Sequence, residues 1–206
     1  MYESSIESPA VSDGIDEKFA RGGVIDDLQQ ISYGRRPTIG LARTATVVES
    51  SEPNIPGLAE YLDGANSGDV LVLGWKAGRA SIFGGNAAFR SKVIGCHGLI
   101  TDGWVRDVDD IRESGLSVWA LGQTPRSGKG RLAVVGIGQP TDVGGQNVHN
   151  QDTIVADQTG ICVVGAEFRA TVIDHAAELA TRDREFQLAI TEGLTFEESR
   201  KRSRTM

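Results

Sequence analysis

Between residues 70 and 122 the chain repeats one rhythm, and that rhythm restricts the possible folds more than any other feature. "VLVLGW" (70–75) is a continuous apolar run. A strand exposed on one side alternates polar and apolar side chains, so an unbroken run marks a strand covered on both faces. "GGNAAFRSKVIGCHG" (84–98) reads as a helix after its opening glycines, and "LITDG" (99–103) as a strand with a turn. "RDVDDIRESG" (106–115) is a second helix stopping at Gly115, and "LSVWALG" (116–122) a further strand. The order β-α-β-α-β predicts an α/β fold with a mostly parallel layer and helices packed on it.

The flanks extend this layer. "ATVVES" (45–50) reads as a strand and "NIPGLAEYLDGANSGD" (54–69) as a helix. Residues 131–165 alternate short strands with turns and read as antiparallel β, while 166–191 carry an amphipathic helical pattern. Residues 1–10 read as a loose N-terminal arm, followed over 11–19 by a short helix with Ser12 or Asp13 as its cap. The 206 residues suffice for one core, and no internal repeat or boundary divides them, so 1–206 is read as a single domain with a C-terminal helical extension at 166–206. The 26 glycines exceed the usual share of roughly 7% and lie mostly between 64 and 165, as tight turns between strands require.

Charge and composition exclude several classes. A net charge of −7 argues against nucleic acid as a partner, because phosphate backbones select basic surfaces. The basic run "RKRSR" (200–204) reads as a solvated tail. No stretch approaches the roughly 18 apolar residues of a membrane span. "MYESSIESPA" lacks the basic start and apolar stretch of a signal peptide. Cys96 and Cys162 sit far apart in apolar runs, as buried thiols of a reducing compartment do. The expected setting is cytoplasmic, without membrane or nucleic-acid partners.

The chemistry concentrates where strands end and helices begin. In a parallel α/β layer these junctions are where ligands collect. At "FGGN" (83–86), Gly84 and Gly85 let backbone approach a ligand, and the N–H groups near Asn86 and Ala87 form an anion seat. At "DGWVRD" (102–107), Arg106 opens the next helix, and its guanidinium grips a carboxylate through two parallel hydrogen bonds. Asp107 beside it suits Mg²⁺, which proteins often hold with one carboxylate, waters and substrate. A 2-oxo acid fits, since its ketone and carboxylate oxygens chelate one ion, which then acts as a Lewis acid.

The competing reading is structural. Acids in a first helical turn are favoured by the dipole at roughly 0.3–1 kcal/mol each, and Asp109 and Asp110 fall mostly under it. Asp102 reads equally as a turn former or a ligand. His97, His149 and His175 share no metal-ligand spacing, and neither cysteine has a neighbouring base. "TPRSGKG" (124–130) lacks the spacing of a phosphate loop and reads as a solvated loop, with Arg126 or Lys129 within reach of an acidic ligand as the alternative.

Together, "VLVLGW", "FGGNAAF", "GLITDGWVRDVDDI", "TPR" and "GGQNVHNQDTIVADQTGICVV" resemble the RraA-like family over roughly residues 12–165. That family includes regulators of ribonuclease E activity and the class II 4-hydroxy-4-methyl-2-oxoglutarate/4-carboxy-4-hydroxy-2-oxoadipate aldolases. Its signature is Gly-Asp/Glu, twenty residues, Arg-Asp/Glu, two residues and Asp/Glu; Gly84, Arg106, Asp107 and Asp110 match, and Gly85 stands where an acid is expected. The resemblance implies a swivelling α/β/α-type domain with a central mixed sheet, assembled as a homotrimer or hexamer with sites at subunit boundaries. It implies a lyase that cleaves a 2-oxo acid to release pyruvate, with oxaloacetate decarboxylase activity. Arg106 would bind the pyruvate carboxylate, Asp107 would hold Mg²⁺ or Mn²⁺, and the amides of Asn86 and Ala87 would help hold pyruvate. The Gly85 departure leaves two alternatives: a related enzyme on a specialised substrate with an enlarged pocket, or a non-catalytic regulator docking a basic partner.

Overall fold

Val70 and Val72 pack into one apolar cluster, while Leu71 and Leu73 pack into another. The run at the centre of the sequence is therefore buried on both faces, as its composition demands. The computed structural model describes residues 6–34 and 37–204, and around that run it places a mixed α/β architecture.

The chain opens with α1 (Ser8–Lys18), β1 (Gly22–Ile25), β2 (Gln29–Ser32) and the long β3 (Thr38–Glu49). Next come α2 (Leu58–Asp63), β4 (Asp69–Lys76), β5 (Ser81–Phe83), α3 (Gly85–Ile94), β6 (Gly98–Val105), α4 (Val108–Ser114) and β7 (Ser117–Gln123). The second half holds β8 (Leu132–Val135), β9 (Thr141–Val143), β10 (Gln146–Val148), β11 (Thr153–Ala156), β12 (Ile161–Val164), α5 (Arg169–Thr191) and α6 (Phe196–Arg204).

Ten strands form one sheet, ordered β1-β12-β11-β3-β4-β6-β7-β2, with β5 beside β6 and β8 beside β3. Its centre, β3-β4-β6-β7, is parallel, and β2, β8, β11, β12 and β1 add antiparallel flanks. The expected parallel layer with a later antiparallel region is thus present within one mixed sheet. Apolar side chains of α2, α3 and α4 cover one face, including Leu62, Ala88 and Ile111. The β9–β10 hairpin contributes Val143 and Val148 to the cluster containing Val70 and Val72, while α1 and α5 cover β11 and β12 through Val11, Ile15, Val172 and Ala176.

Several boundaries differ from the sequence reading. Helix α1 begins at Ser8 with Pro9 in its first turn and Glu7 as its N-cap, rather than after Ser12 or Asp13. Ile6 is buried against α1 and α5 in that cluster, so residues 6–10 are not a loose arm, while 1–5 lie outside the described residues. Residues 200–204 complete α6 rather than forming a tail, with Ser203 buried, while Arg200, Lys201 and Arg202 are exposed as the solvated reading expects. The helix expected over 54–69 is only α2, and the strand expected at 45–50 is the end of β3. Cys96 and Cys162 are free and buried, as expected; burial pushes their thiols up to about 11 and about 12 respectively.

Candidate active site

The site is built at the ends of adjacent parallel strands. At the end of β5, the Phe83 carbonyl accepts the Arg106 N–H at 3.0 Å; at the end of β6, the Val105 carbonyl accepts the Thr124 N–H at 2.9 Å. The chain then enters α3 through Gly84, the N-cap, and α4 through Asp107. Arg106 therefore lies immediately before the N-cap of its helix rather than opening it. Asp107 is the N-cap of α4 in the left-handed region at φ 51°, ψ 49°, not a first-turn acid. A non-glycine residue in that region is uncommon, and such strain concentrates at functional sites.

Gly84 lies in close approach to both Arg106 and Asp107. A Cβ there would lie 2.7 Å from Asp107 Oδ2 and 3.1 Å from Arg106 Cγ. The Gly85 N–H reaches Asp107 Oδ2 at 3.4 Å, and the first helical bond of α3 runs from Ala88 N–H to the Gly84 carbonyl at 3.0 Å. The N–H groups of Asn86 and Ala87 precede that bond, at the positive end of a helix dipole.

Gly84, Asn86, Ala87, Arg106 and Asp107 border one cavity of about 390 Å³. That lies within the range of about 300–1,000 Å³ typical of small-molecule sites. Its apolar wall is Ile55, Leu58 and Leu62, and Ser127 and Lys129 also line it. Tyr61 fixes α2, which carries part of that wall: its buried hydroxyl donates to the Arg43 carbonyl at 2.7 Å, and Arg43 Nε donates to the Tyr61 carbonyl at 2.8 Å. Arg106 Nε and Asp107 Oδ2 stand 3.5 Å apart, with both side chains about two-fifths exposed (38% and 42%). That is a loose contact; the fork geometry that would consume both groups is shorter and paired. Both therefore keep capacity for a ligand.

Other sequence candidates separate from this cavity. Gly85 and Asp110 border a neighbouring groove, with Asn86 on the boundary between the two. Asp109 pairs with Arg112 at 3.4 Å and points into solvent, as a surface acid does. Asp102 is not a turn former: it lies inside β6, where its Oδ2 accepts the Gly144 N–H at 3.2 Å. His175 bonds Glu17 at 2.6 Å and Glu178 at 3.2 Å, joining α1 to α5, and His97 and His149 bond a backbone carbonyl and Asn147. Lys129 is exposed, as a solvated loop requires, and also lines the cavity, the placement that the alternative reading of the loop requires. The α2 wall was missed altogether, because only the fold carries residues 55–62 to Arg106; the loop's lysine was the one legible signal.

Among the described residues, no group of three or more His, Cys, Asp or Glu side chains forms a closed metal cage. No helix among them is long and apolar enough to cross a membrane. An open carboxylate such as Asp107 nonetheless fits Mg²⁺, which commonly takes one or two carboxylates and completes its shell with water and substrate.

Comparisons with known proteins agree with this architecture. An uncharacterised Methanocaldococcus jannaschii protein is 30% identical over 122 residues, 59% of this chain and 58% of that protein. An Arabidopsis thaliana protein provisionally named 4-hydroxy-4-methyl-2-oxoglutarate aldolase 2 is 30% identical over 156 residues, 71% of this chain and 88% of its own. The chain also matches Legionella pneumophila DlpA, but spans only 32% of that relative. Among solved structures, Streptomyces coelicolor RraAS2, described as an unusual member of the RNase ES inhibitor RraA family, superposes with a TM-score of 0.82 at 23% identity, covering 91% of this chain and 95% of that one. The RraA-like family, described as Aldolase/RraA, matches residues 8–163, and the chain belongs to it.

Proposed function

We propose that the protein is a divalent-metal-dependent lyase that cleaves a carbon–carbon bond in a 2-oxo acid and releases pyruvate. The observation that carries this reading is the shared cavity: Arg106, Asp107 and the first turn of α3 converge on one space of about 390 Å³. Relatives about 30% identical that carry the 4-hydroxy-4-methyl-2-oxoglutarate aldolase name support the same chemistry.

In this reading Arg106 binds the substrate carboxylate, and the Asn86 and Ala87 amides orient it against the end of α3. Asp107 would hold Mg²⁺ or Mn²⁺. The ion supplies Lewis-acid stabilisation of the charge that develops on the 2-oxo oxygen. Leu58 and Leu62 exclude water from one wall, which strengthens these electrostatic contacts. Assembly as a homotrimer or hexamer belongs to the same proposal.

The test is pyruvate release from oxaloacetate and from 4-hydroxy-4-methyl-2-oxoglutarate, with Mg²⁺, Mn²⁺ or EDTA. Turnover that EDTA stops, and that Arg106→Ala and Asp107→Ala each reduce at least about a hundredfold, is expected for groups that act on developing charge. Absence of metal-dependent turnover on both acids would remove the proposal and leave the regulator reading of the family.

A further inference from the structure

The last turn of α1 is held by few contacts. Ile15 is buried in the cluster that α1 shares with α5, and Arg21 is tied to Asp152 and Glu167. Between them Asp16, Glu17, Lys18 and Phe19 are exposed. Phe19, the C-cap, sits in the left-handed region at φ 50°, an unfavourable backbone for an aromatic residue. Its N–H and that of Ala20 close the turn onto the carbonyls of Asp16 and Ile15, at 3.3 Å and 3.0 Å. Among the described residues, the bond between Glu17 and His175 is the one side-chain hydrogen bond that leaves residues 16–19.

His175, on α5, stands between two carboxylates. It is only 8% exposed; its Nε2 lies 2.6 Å from Glu17 Oε2, and its Nδ1 lies 3.2 Å from Glu178 Oε2. Ionised carboxylates only accept hydrogen bonds, so both contacts are bonds at once only when both ring nitrogens carry protons. A neutral ring has one N–H and turns the lone pair of its other nitrogen toward an acid. The remaining charges beside this pair are Lys18 of α1 and Arg182 of α5, both of which act on Glu17. The strands β11 and β12, which the two helices cover, contribute Val155, Cys162 and Val164. Burial pushes the Cys162 thiol up to about 12, and Asp13 and Asp16 of α1 act on that thiol. Histidine is the side chain of this set whose charge ordinarily changes between about pH 5 and 8.

We propose that Glu17, His175 and Glu178 form a pH-sensitive clasp: with both ring nitrogens protonated it fastens the last turn of α1 to α5, and loss of one proton releases that turn. The ring's contribution is complete below its unfolded value of about 6.5 and is lost as the proton leaves at higher pH. Donation from His175 holds the Glu17 carboxyl below the usual glutamate range. The carboxylate's contribution is therefore present above about 4.3 and lost as pH falls through the folded value. The clasp closes best between these limits and opens on the alkaline side. Glu17 and Glu178 are more than half exposed (57% and 63%), so release is local and modest in energy. None of the three residues lines the Arg106 cavity, and the clasp stands whether or not the chain is a lyase.

Amide exchange followed by NMR tests this through the protection of Phe19 and Ala20. Each rate is taken relative to an unstructured chain at the same pH, so that the intrinsic pH dependence cancels. Protection should fall about fivefold between pH 6 and pH 8.5, the scale of a partly exposed ion pair. The Val11 amide, in the buried first half of α1, should keep its protection. Glu17→Ala and His175→Gln should each lower the protection of Phe19 and Ala20 at pH 6 to its alkaline level and abolish the fall. Circular dichroism verifies folding, and Glu17→Ala, at an exposed position, carries the test if the buried His175→Gln variant does not fold. Equal protection in the parent protein at both pH values, or the parental fall persisting in either folded variant, overturns the proposal.

Discussion

The Asp110 side chain occupies the space that any side chain at position 85 would need: a Cβ added to Gly85 would lie 2.5 Å from Asp110 Cβ and 2.6 Å from its Oδ2. The glycine that replaces the acid of the family signature is therefore coupled sterically to the last acid of the same signature.

Gly85→Asp is expected to destabilise the protein by about 1–3 kcal/mol, the usual cost of overpacking, with like-charge repulsion added. Gly85→Asp combined with Asp110→Gly should recover most of that loss in urea unfolding. Equal stability of the single and double variants would show that the contact is absent.

Asp107 offers a separation of stability from chemistry. Its left-handed backbone suits glycine, so relief of a penalty of about 1–2 kcal/mol roughly offsets glycine's greater unfolded-chain freedom, about 0.5–1 kcal/mol. Asp107→Gly should unfold within about 1 kcal/mol of the parent while metal-dependent turnover falls at least about a hundredfold. A variant that folds equally well and remains fully active would remove Asp107 from the proposed mechanism.

Asp152 is fully buried and accepts four hydrogen bonds: from both Arg21 Nη atoms at 2.9 Å and 2.7 Å, from the His149 N–H at 2.9 Å and from the Ala166 N–H at 3.1 Å. Asp152→Ala should cost about 3–5 kcal/mol, as removal of one partner from a buried pair does. Chemical denaturation measures it, and a loss below about 1 kcal/mol would mean that Arg21 gains its stability from Glu167 instead.

Asp102 carries the pH prediction. Burial raises its carboxyl above the usual aspartate value, only partly opposed by the Gly144 N–H, and its Oδ1 is buried without a hydrogen-bond partner among the described residues. Because the folded state then holds the proton more tightly, the cost of ionising Asp102 is absent below the unfolded value of about 3.9. That cost grows as pH rises through the folded value and is complete above it. Asp102→Asn should therefore raise the melting temperature at pH 7.5, with the gain shrinking towards pH 4 in scanning calorimetry. A gain of equal size at both pH values would exclude ionisation as its source.

The local code was legible where a single periodicity dominates. The apolar run at 70–75 announced a strand buried on both faces, and the helix–strand alternation after it announced the parallel layer. Arg106 and Asp107 were candidates from sequence because a guanidinium next to a carboxylate at a strand end is chemically distinctive before any packing is known. Boundaries were less legible: glutamate is not a residue that capping preference selects, so Glu7 was not foreseen as a cap, and Asp107, although aspartate favours N-caps, caps α4 from the left-handed region without a side-chain cap hydrogen bond. Asp102 likewise gave no hint of its interior position, because aspartate before glycine is also the composition of a turn.

The sequence by itself determined the alternation of strands and helices and the adjacency of a cation and an anion at 106 and 107, because hydrophobic period and side-chain chemistry act between near neighbours. Only the tertiary structure decided that Leu58, Lys129 and Arg106 line one space, and that Arg79, Arg126 and Arg131 line another. Those groups are brought together by sheet pairing and by the docking of α2 through Tyr61, interactions whose strength depends on burial rather than on distance along the chain.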